Sequence, residues 1–402
     1  MATPTRPLAA FRLPYFPAYF LSNLLQYVSG QLQAFTLQWL VTELTTSRTL
    51  LGTVGFVQGA SVTLALPAAG VASDRYPKRH LLVIGRVGLA AIVLVMALMV
   101  HTGWIAMWHI IVLAIAGGLF SALMQPASQT YVFDLVGREN VQNAIALNSI
   151  GTGAAQMLGP ALAGVTIAAI GIVGTFVSAA AGALVATGML ALIPVLGRSP
   201  HAPRSSPWNE LRESLAYVRQ HPPVLLALIA CSMAVFNGAL YSMRPIFARH
   251  VLEVGSQGFG MLAAASGVGT LLGAAIATML PMRRPGLAIA ATMLGFATCL
   301  LLYSFAFSFA WVLGVELASG LIGQLWNVAA FSGLQLAVPE EMRGRIMSLL
   351  MIVVQTAPLG QLFVGVLADA VGDQLAMGIF GAVPMVVLTL LLTFGWRQLR
   401  EL

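Results

Sequence analysis

The feature that most constrains this chain is apolar continuity. Twelve stretches of about 20 residues run with scarcely a charge: 15–42, 50–72, 81–100, 105–130, 141–168, 173–196, 224–248, 257–280, 287–305, 309–336, 346–369 and 375–396. A helix needs about 20 apolar residues to cross the hydrocarbon of a bilayer. Backbone in lipid must satisfy its own hydrogen bonds, which leaves helices or closed barrels. Barrel strands alternate apolar and polar residues over roughly 10 positions, and these stretches do not alternate. Charged residues are only 8% of the 402, against about 25% in soluble domains, so the polar surface is too small to face water. The expected fold is an all-α membrane protein of twelve transmembrane helices.

The first stretch is too long for a signal-peptide core and has no small-residue cleavage site, so it is expected to remain as span one. Cys231 and Cys299 both fall inside spans and are expected to pack as small apolar residues.

The net charge of +7 does not point to nucleic acid, because of where the charge lies. With the N-terminus inside, 17 of the 20 Lys and Arg residues fall on the cytoplasmic side, Arg86 counted among them. Arg48, Arg244 and Arg249 fall toward the other. That asymmetry is the positive-inside pattern and predicts two cytoplasmic termini.

The longest polar segment, 197–223, divides the chain into a six-span bundle over 1–196 and another over 224–402. Its first part, Gly197 to Pro207, is rich in Pro, Ser and Arg and reads as linker. Trp208, Leu211, Leu215 and Val218 then recur at helical spacing among charges, which predicts a short amphipathic helix on the membrane surface. The halves look alike. Gly164-Val165 and Gly171 are matched by Gly365-Val366 and Gly372, each 201 residues later. Duplication of a six-helix unit is the architecture of many secondary transporters.

Between spans two and three stands Gly70-Val71-Ala72-Ser73-Asp74-Arg75-Tyr76-Pro77-Lys78-Arg79. It resembles the signature loop of the major facilitator superfamily: a glycine, then Asp-Arg four residues later, then a basic pair. Phe11-Arg12, Trp39-Leu40-Val41 and Arg343-Gly344-Arg345-Ile346-Met347-Ser348 resemble the bacterial exporter branch that includes enterobactin and macrolide efflux proteins. The resemblance implies a multi-pass protein of the bacterial inner membrane. It implies export of a small molecule by alternating access, driven by the proton gradient. An importer or lipid flippase of the same fold, a transport-like sensor and an intramembrane enzyme are the alternatives.

Physically, Gly70 is expected to let two helices approach closely. Asp74 sits at the wrong end of its own helix for the dipole, so it is expected to meet Arg138 or Arg345 and latch the cytoplasmic side in one conformation. The second half lacks this acid, with Ala277 in its place, so the latch is expected to be asymmetric. Gly159-Pro160-Ala161-Leu162-Ala163-Gly164 in span five resembles an antiporter motif of the superfamily; read physically, it is a kinked, closely packed helix.

In the family fold, spans one, four, seven and ten line a central cavity, and here those spans carry the polar residues. The expected cavity set is Gln26, Gln31 and Gln33; Gln125 and Gln129; Asn237 and Tyr241; and Gln324, Trp326 and Asn327. Polar groups in lipid are costly and should face a wet interior, although glutamines also join helices to one another. Glu316 is the one acid placed well inside a span, and Arg244 lies toward the outer end of another cavity-lining span. The two are the coupling candidates, either paired or with Arg244 snorkelling to the interface. The sequence departs from the exporters in having Gly30-Gln31 where span one often carries an acid, and in having no arginine in the middle of span four.

Lys78 is the only lysine and belongs to no Gly-x-x-x-x-Gly-Lys-Ser/Thr loop, so ATP through a P-loop is not the expected energy source. The histidines lack metal-ligand pairing, and no cofactor is expected. The expected partners are a small-molecule substrate, protons and the lipid bilayer, and the chain is expected to work as a monomer.

Overall fold

The computed structural model describes residues 9–197, 207–279 and 284–401, and every regular element among them is a helix. The spans are Phe16–Leu44, Arg48–Arg75, Lys78–His101, Met107–Gly137, 139–170, 172–191, Pro222–Val251, Gly255–Met279, Pro285–Phe305, Phe309–Ala337, Met342–Val371 and Asp373–Phe394. Among the described residues ten helices are long and apolar enough to cross a membrane; one, Glu139–Ala191, is 53 residues long and broken at Gly171. With that break and the glutamine-bearing Phe16–Leu44, twelve spans result. The linker expected over 198–206 and Arg283 lie outside the described residues, as do the side chains of Arg138, Trp208 and Leu211.

The break in the long helix has a backbone cause. Gly171 takes φ 72, ψ 178, and its counterpart Gly372, between spans eleven and twelve, takes φ 91, ψ 160. Side chains disfavour that region and glycine does not, so the matched glycines end their helices without a long loop. Elsewhere the structure corrects the expected boundaries. Span six stops at Ala191 rather than at 196, and residues 193–197 are irregular. Pro194 explains the stop: its ring would meet the carbonyl four residues back and it has no N–H to give.

Two compact units emerge, one of Met1–Leu44 with Val57–Ala202, the other of Thr45–Phe56 with Pro203–Leu402. In the first, spans one and three both pack against the long Met107–Ala191 run; in the second, spans eight and ten pair, as do nine and twelve. The start of span two thus belongs to the second unit. The linker helix, Pro207–Gln220, buries Ser214 and Val218 while Leu215 stays exposed beside Arg212 and Arg219.

Candidate functional site

In the second unit the central finding is an ion pair sealed from solvent. Glu316 is 0% exposed and Arg244 6%. The Arg244 Nε donates to one carboxylate oxygen at 2.7 Å and Nη2 to the other at 2.8 Å. This two-pronged geometry is the strongest that arginine makes with a carboxylate. Span ten carries Glu316 about 10 Å in from Phe309, at 1.5 Å per residue, and span seven brings Arg244 to the same depth. The Tyr241 ring lies 5.9 Å below the guanidinium. Tyr303 is fully buried and packs edge-on against Phe247 at 4.8 Å. Arg244 therefore pairs rather than snorkels.

Span seven is not a regular α-helix. It tightens to a 3-10 turn over Met233–Asn237 and widens to a π turn over Phe247–Val251, on either side of Arg244. Such departures inside a span recur at functional sites and hinges. Within this unit Asn237 Oδ1, Ser242 Oγ and Trp326 Nε1 are buried with no hydrogen-bond partner among the described residues. Tyr241 and Asn327 are exposed and Gln324 is half-buried.

In the first unit the expected cavity residues divide. Gln125 and Gln129 are exposed, Gln26 and Gln33 half-buried, and Gln26 Oε1 has no partner among the described residues. Gln31 has a packing role: a Cβ built on Gly159 would stand 2.4 Å from the Gln31 Cβ. The Gly159–Gly164 motif thus lets span five close onto span one, with Gly159, Pro160 and Gly164 all buried and the backbone helical through Pro160.

The signature loop behaves differently from expectation. A Cβ on Gly70 meets nothing within 4 Å, so close helix approach is not what Gly70 provides here. Asp74 and Arg75 are exposed, and Asp74 makes no hydrogen bond or ion pair among the described residues. Arg345 pairs instead with Glu213 of the linker helix at 2.5 Å. The loop's buried charge is Lys78, whose Nζ holds Asp134 at 2.7 Å. The Lys78 and Arg79 backbone N–H groups donate to Gly197 and Leu196, the Arg79 guanidinium to the Ile193 carbonyl, and the Tyr131 hydroxyl to that of Val195. The segment after span six is stitched to the signature loop because Pro194 freed its carbonyls from a helix.

Two further arrangements escaped sequence reasoning. Arg86, counted with the cytoplasmic charges, is 3% exposed. It donates to Ser22 Oγ at 2.7 Å, Asn23 Oδ1 at 2.6 Å and the Ala186 carbonyl at 3.4 Å. Its position five residues inside the 81–100 stretch was the available signal. In the second unit, Asp369 caps the first turn of span two, accepting from the Arg48 and Thr49 N–H groups and Ser47 Oγ, each at 2.9 Å. The Arg48 guanidinium grips Asp373 with two bonds of 2.8 Å. Acids at span ends carried no sequence signal beyond their charge.

The family model described as Major Facilitator Superfamily matches residues 19–358. Among curated relatives, the chain is 26% identical over 400 residues to "Enterobactin exporter EntS" of Shigella boydii serotype 4 (strain Sb227), covering 96% of this chain and 94% of that protein. EntS of Escherichia coli O139:H28 (strain E24377A / ETEC) matches with the same identity and coverage. Among solved structures, a POT family transporter in complex with 5-aminolevulinic acid superposes with a TM-score of 0.76 at 13% identity, over 96% of this chain and 97% of that one. A bacterial homologue of the human lysosomal transporter Spinster gives 0.72 at 14%, over 96% of each. At those identities the structures share the fold.

Proposed function

The chain belongs to the Major Facilitator Superfamily, and from that premise we propose that it exports a small molecule across the bacterial inner membrane, drawing on the proton gradient through Glu316 and Arg244. Transport is the family's activity; the outward direction is supported by similarity to enterobactin exporters over 96% of the chain. The candidate substrates are siderophores, drugs or related metabolites. The monomer is the working unit, with both termini in the cytoplasm, as the distribution of basic residues supports.

The observation that carries the coupling is the sealed Glu316–Arg244 pair. Ionised, Glu316 satisfies Arg244, and the pair is neutral as a whole. Protonated, it leaves a buried guanidinium that must find another acceptor, which a substrate or water entering beside Tyr241 supplies. A cost attaches to either unpaired form, so the Glu316 carboxylate and the substrate compete for the same cation, and the proton held by Glu316 is thereby linked to which of the two engages Arg244. The irregular span seven is the element that moves Arg244 between these arrangements. On the cytoplasmic side, Asp74 acts as a latch made in one conformation and broken in the other, with Gly70, Arg75, Arg79 and Arg138 around it, while Lys78 and Arg345 are held by Asp134 and Glu213.

The test is accumulation against counterflow in proteoliposomes carrying Glu316→Gln protein. Coupling predicts loss of gradient-driven accumulation with exchange retained. Accumulation that survives the substitution would remove Glu316 from coupling.

A further inference from the structure

We propose that Arg86 makes this protein selective for anionic small molecules; the proposal rests on the transport function above and names its substrate class. Arg86 lies about 12 Å inside span three, eight residues from Lys78 at 1.5 Å per residue. An arginine stays protonated in any protein setting, so a full positive charge sits inside the first unit. A buried charge is retained at a cost of several kcal/mol unless something opposes it.

Nothing in this unit opposes it fully. None of the acids of its described residues bonds the guanidinium: Asp134 is held by Lys78, Glu43 accepts from Trp39 Nε1 at 2.8 Å, and Asp74 and Glu139 are exposed. The three acceptors on Arg86 are a hydroxyl, an amide and a backbone carbonyl. They solvate the cation without cancelling it. The Ala186 carbonyl lies one turn short of the end of its helix at Ala191, where the negative end of the dipole offsets a fraction of a charge. Ser22 also donates to that carbonyl, at 2.6 Å, so spans one, three and six meet on a single oxygen.

A neutral side chain could make the same three-span junction without the desolvation cost. The charge is the extra element. Its field is not confined to the buried junction: Tyr27, one helical turn beyond the Asn23 that accepts from Arg86, is 42% exposed on span one. One turn beyond Ser22, on the same face, Gln26 carries a buried carbonyl oxygen without a donor among the described residues. Span one thus presents polar groups to a substrate under the field of an uncompensated cation, while the arginine of the second unit is neutralised by its glutamate. A carboxylate, phenolate or phosphate on the substrate gains from that field; a cation loses.

The experiment is an anisotropy titration of the purified full-length protein with two xanthene dyes of similar size and opposite charge, 5-carboxyfluorescein and rhodamine 123. Wild-type protein is expected to bind the anion more tightly by about tenfold, the equivalent of roughly 1.4 kcal/mol of electrostatic preference. Arg86→Lys, which keeps the charge, should keep the preference; Arg86→Met, which removes it, should abolish it. Equal or tighter binding of rhodamine 123 by wild type, or binding of neither dye, overturns the proposal even where the variants do not fold. An unchanged ratio in a folded Arg86→Met protein reduces Arg86 to a structural junction. Export from inverted vesicles separates the two levels: export blind to charge removes the anion preference alone, whereas no export of any compound in a broad panel removes the transport function.

Discussion

Two buried arginines, one in each unit, show two ways of keeping a guanidinium out of water. Arg244 has an acid, Glu316, with both oxygens engaged at 2.7 and 2.8 Å. Arg86 has no acidic partner among the described residues and relies on a serine, an asparagine and a backbone carbonyl. The first arrangement is neutral as a pair, and protonation of its acid undoes it. The second is permanently positive and has no proton to exchange. A titratable partner makes a buried arginine a switch, and a neutral cradle makes it a fixed source of field. Lys78 with Asp134 is intermediate: the lysine is 3% exposed, but its acid keeps a quarter of its surface.

The comparison can be broken most directly at Arg244. Arg244→Met alone leaves Glu316 charged and unpaired in a dry site and is expected to destabilise the protein by about 3–5 kcal/mol. The double variant Arg244→Met with Glu316→Leu removes both charges and should return to within about 1–2 kcal/mol of wild type. Thermal unfolding in detergent measures both, and a double variant no more stable than the single would show that the pair is not the local determinant. Arg86→Met should cost less, about 1–3 kcal/mol, because it orphans neutral acceptors rather than a charge. If it destabilises as severely as Arg244→Met, the contrast between the two sites fails.

Lys78→Met is expected to be milder still, since Asp134 retains access to water and exposed charges are cheaply solvated; the same melting assay ranks it. Asp74→Asn should leave stability unchanged, because the side chain is exposed and unbonded among the described residues, yet transport should fall severely if the latch operates in another conformation. Near-normal transport by well-expressed Asp74→Asn protein would leave the loop only a topological role. The smallest expected signal is in topology: a reporter active only in the periplasm, fused after Leu402, should stay silent.

Much of this was legible in the chain. Apolar continuity required helices, since lipid offers the backbone no hydrogen bonds. The matched glycines 201 residues apart spoke for two like halves, and the structure gives Gly171 and Gly372 the same positive-φ conformation. Glu316 and Arg244 stood out because charges inside spans are expensive. Chain order could not say which charges meet. Arg86 and Lys78 both lie near the start of span three and look alike to any count of cytoplasmic charge, yet one closes on three neutral oxygens from two other helices and the other on Asp134. Gln31 and Gln129 look alike as polar residues in cavity-lining spans, yet one packs against Gly159 and the other is exposed. Hydrophobicity is a property of each segment and survives in the sequence. Partner choice depends on how helices far apart in the chain are rotated and set in depth, and packing alone decides that.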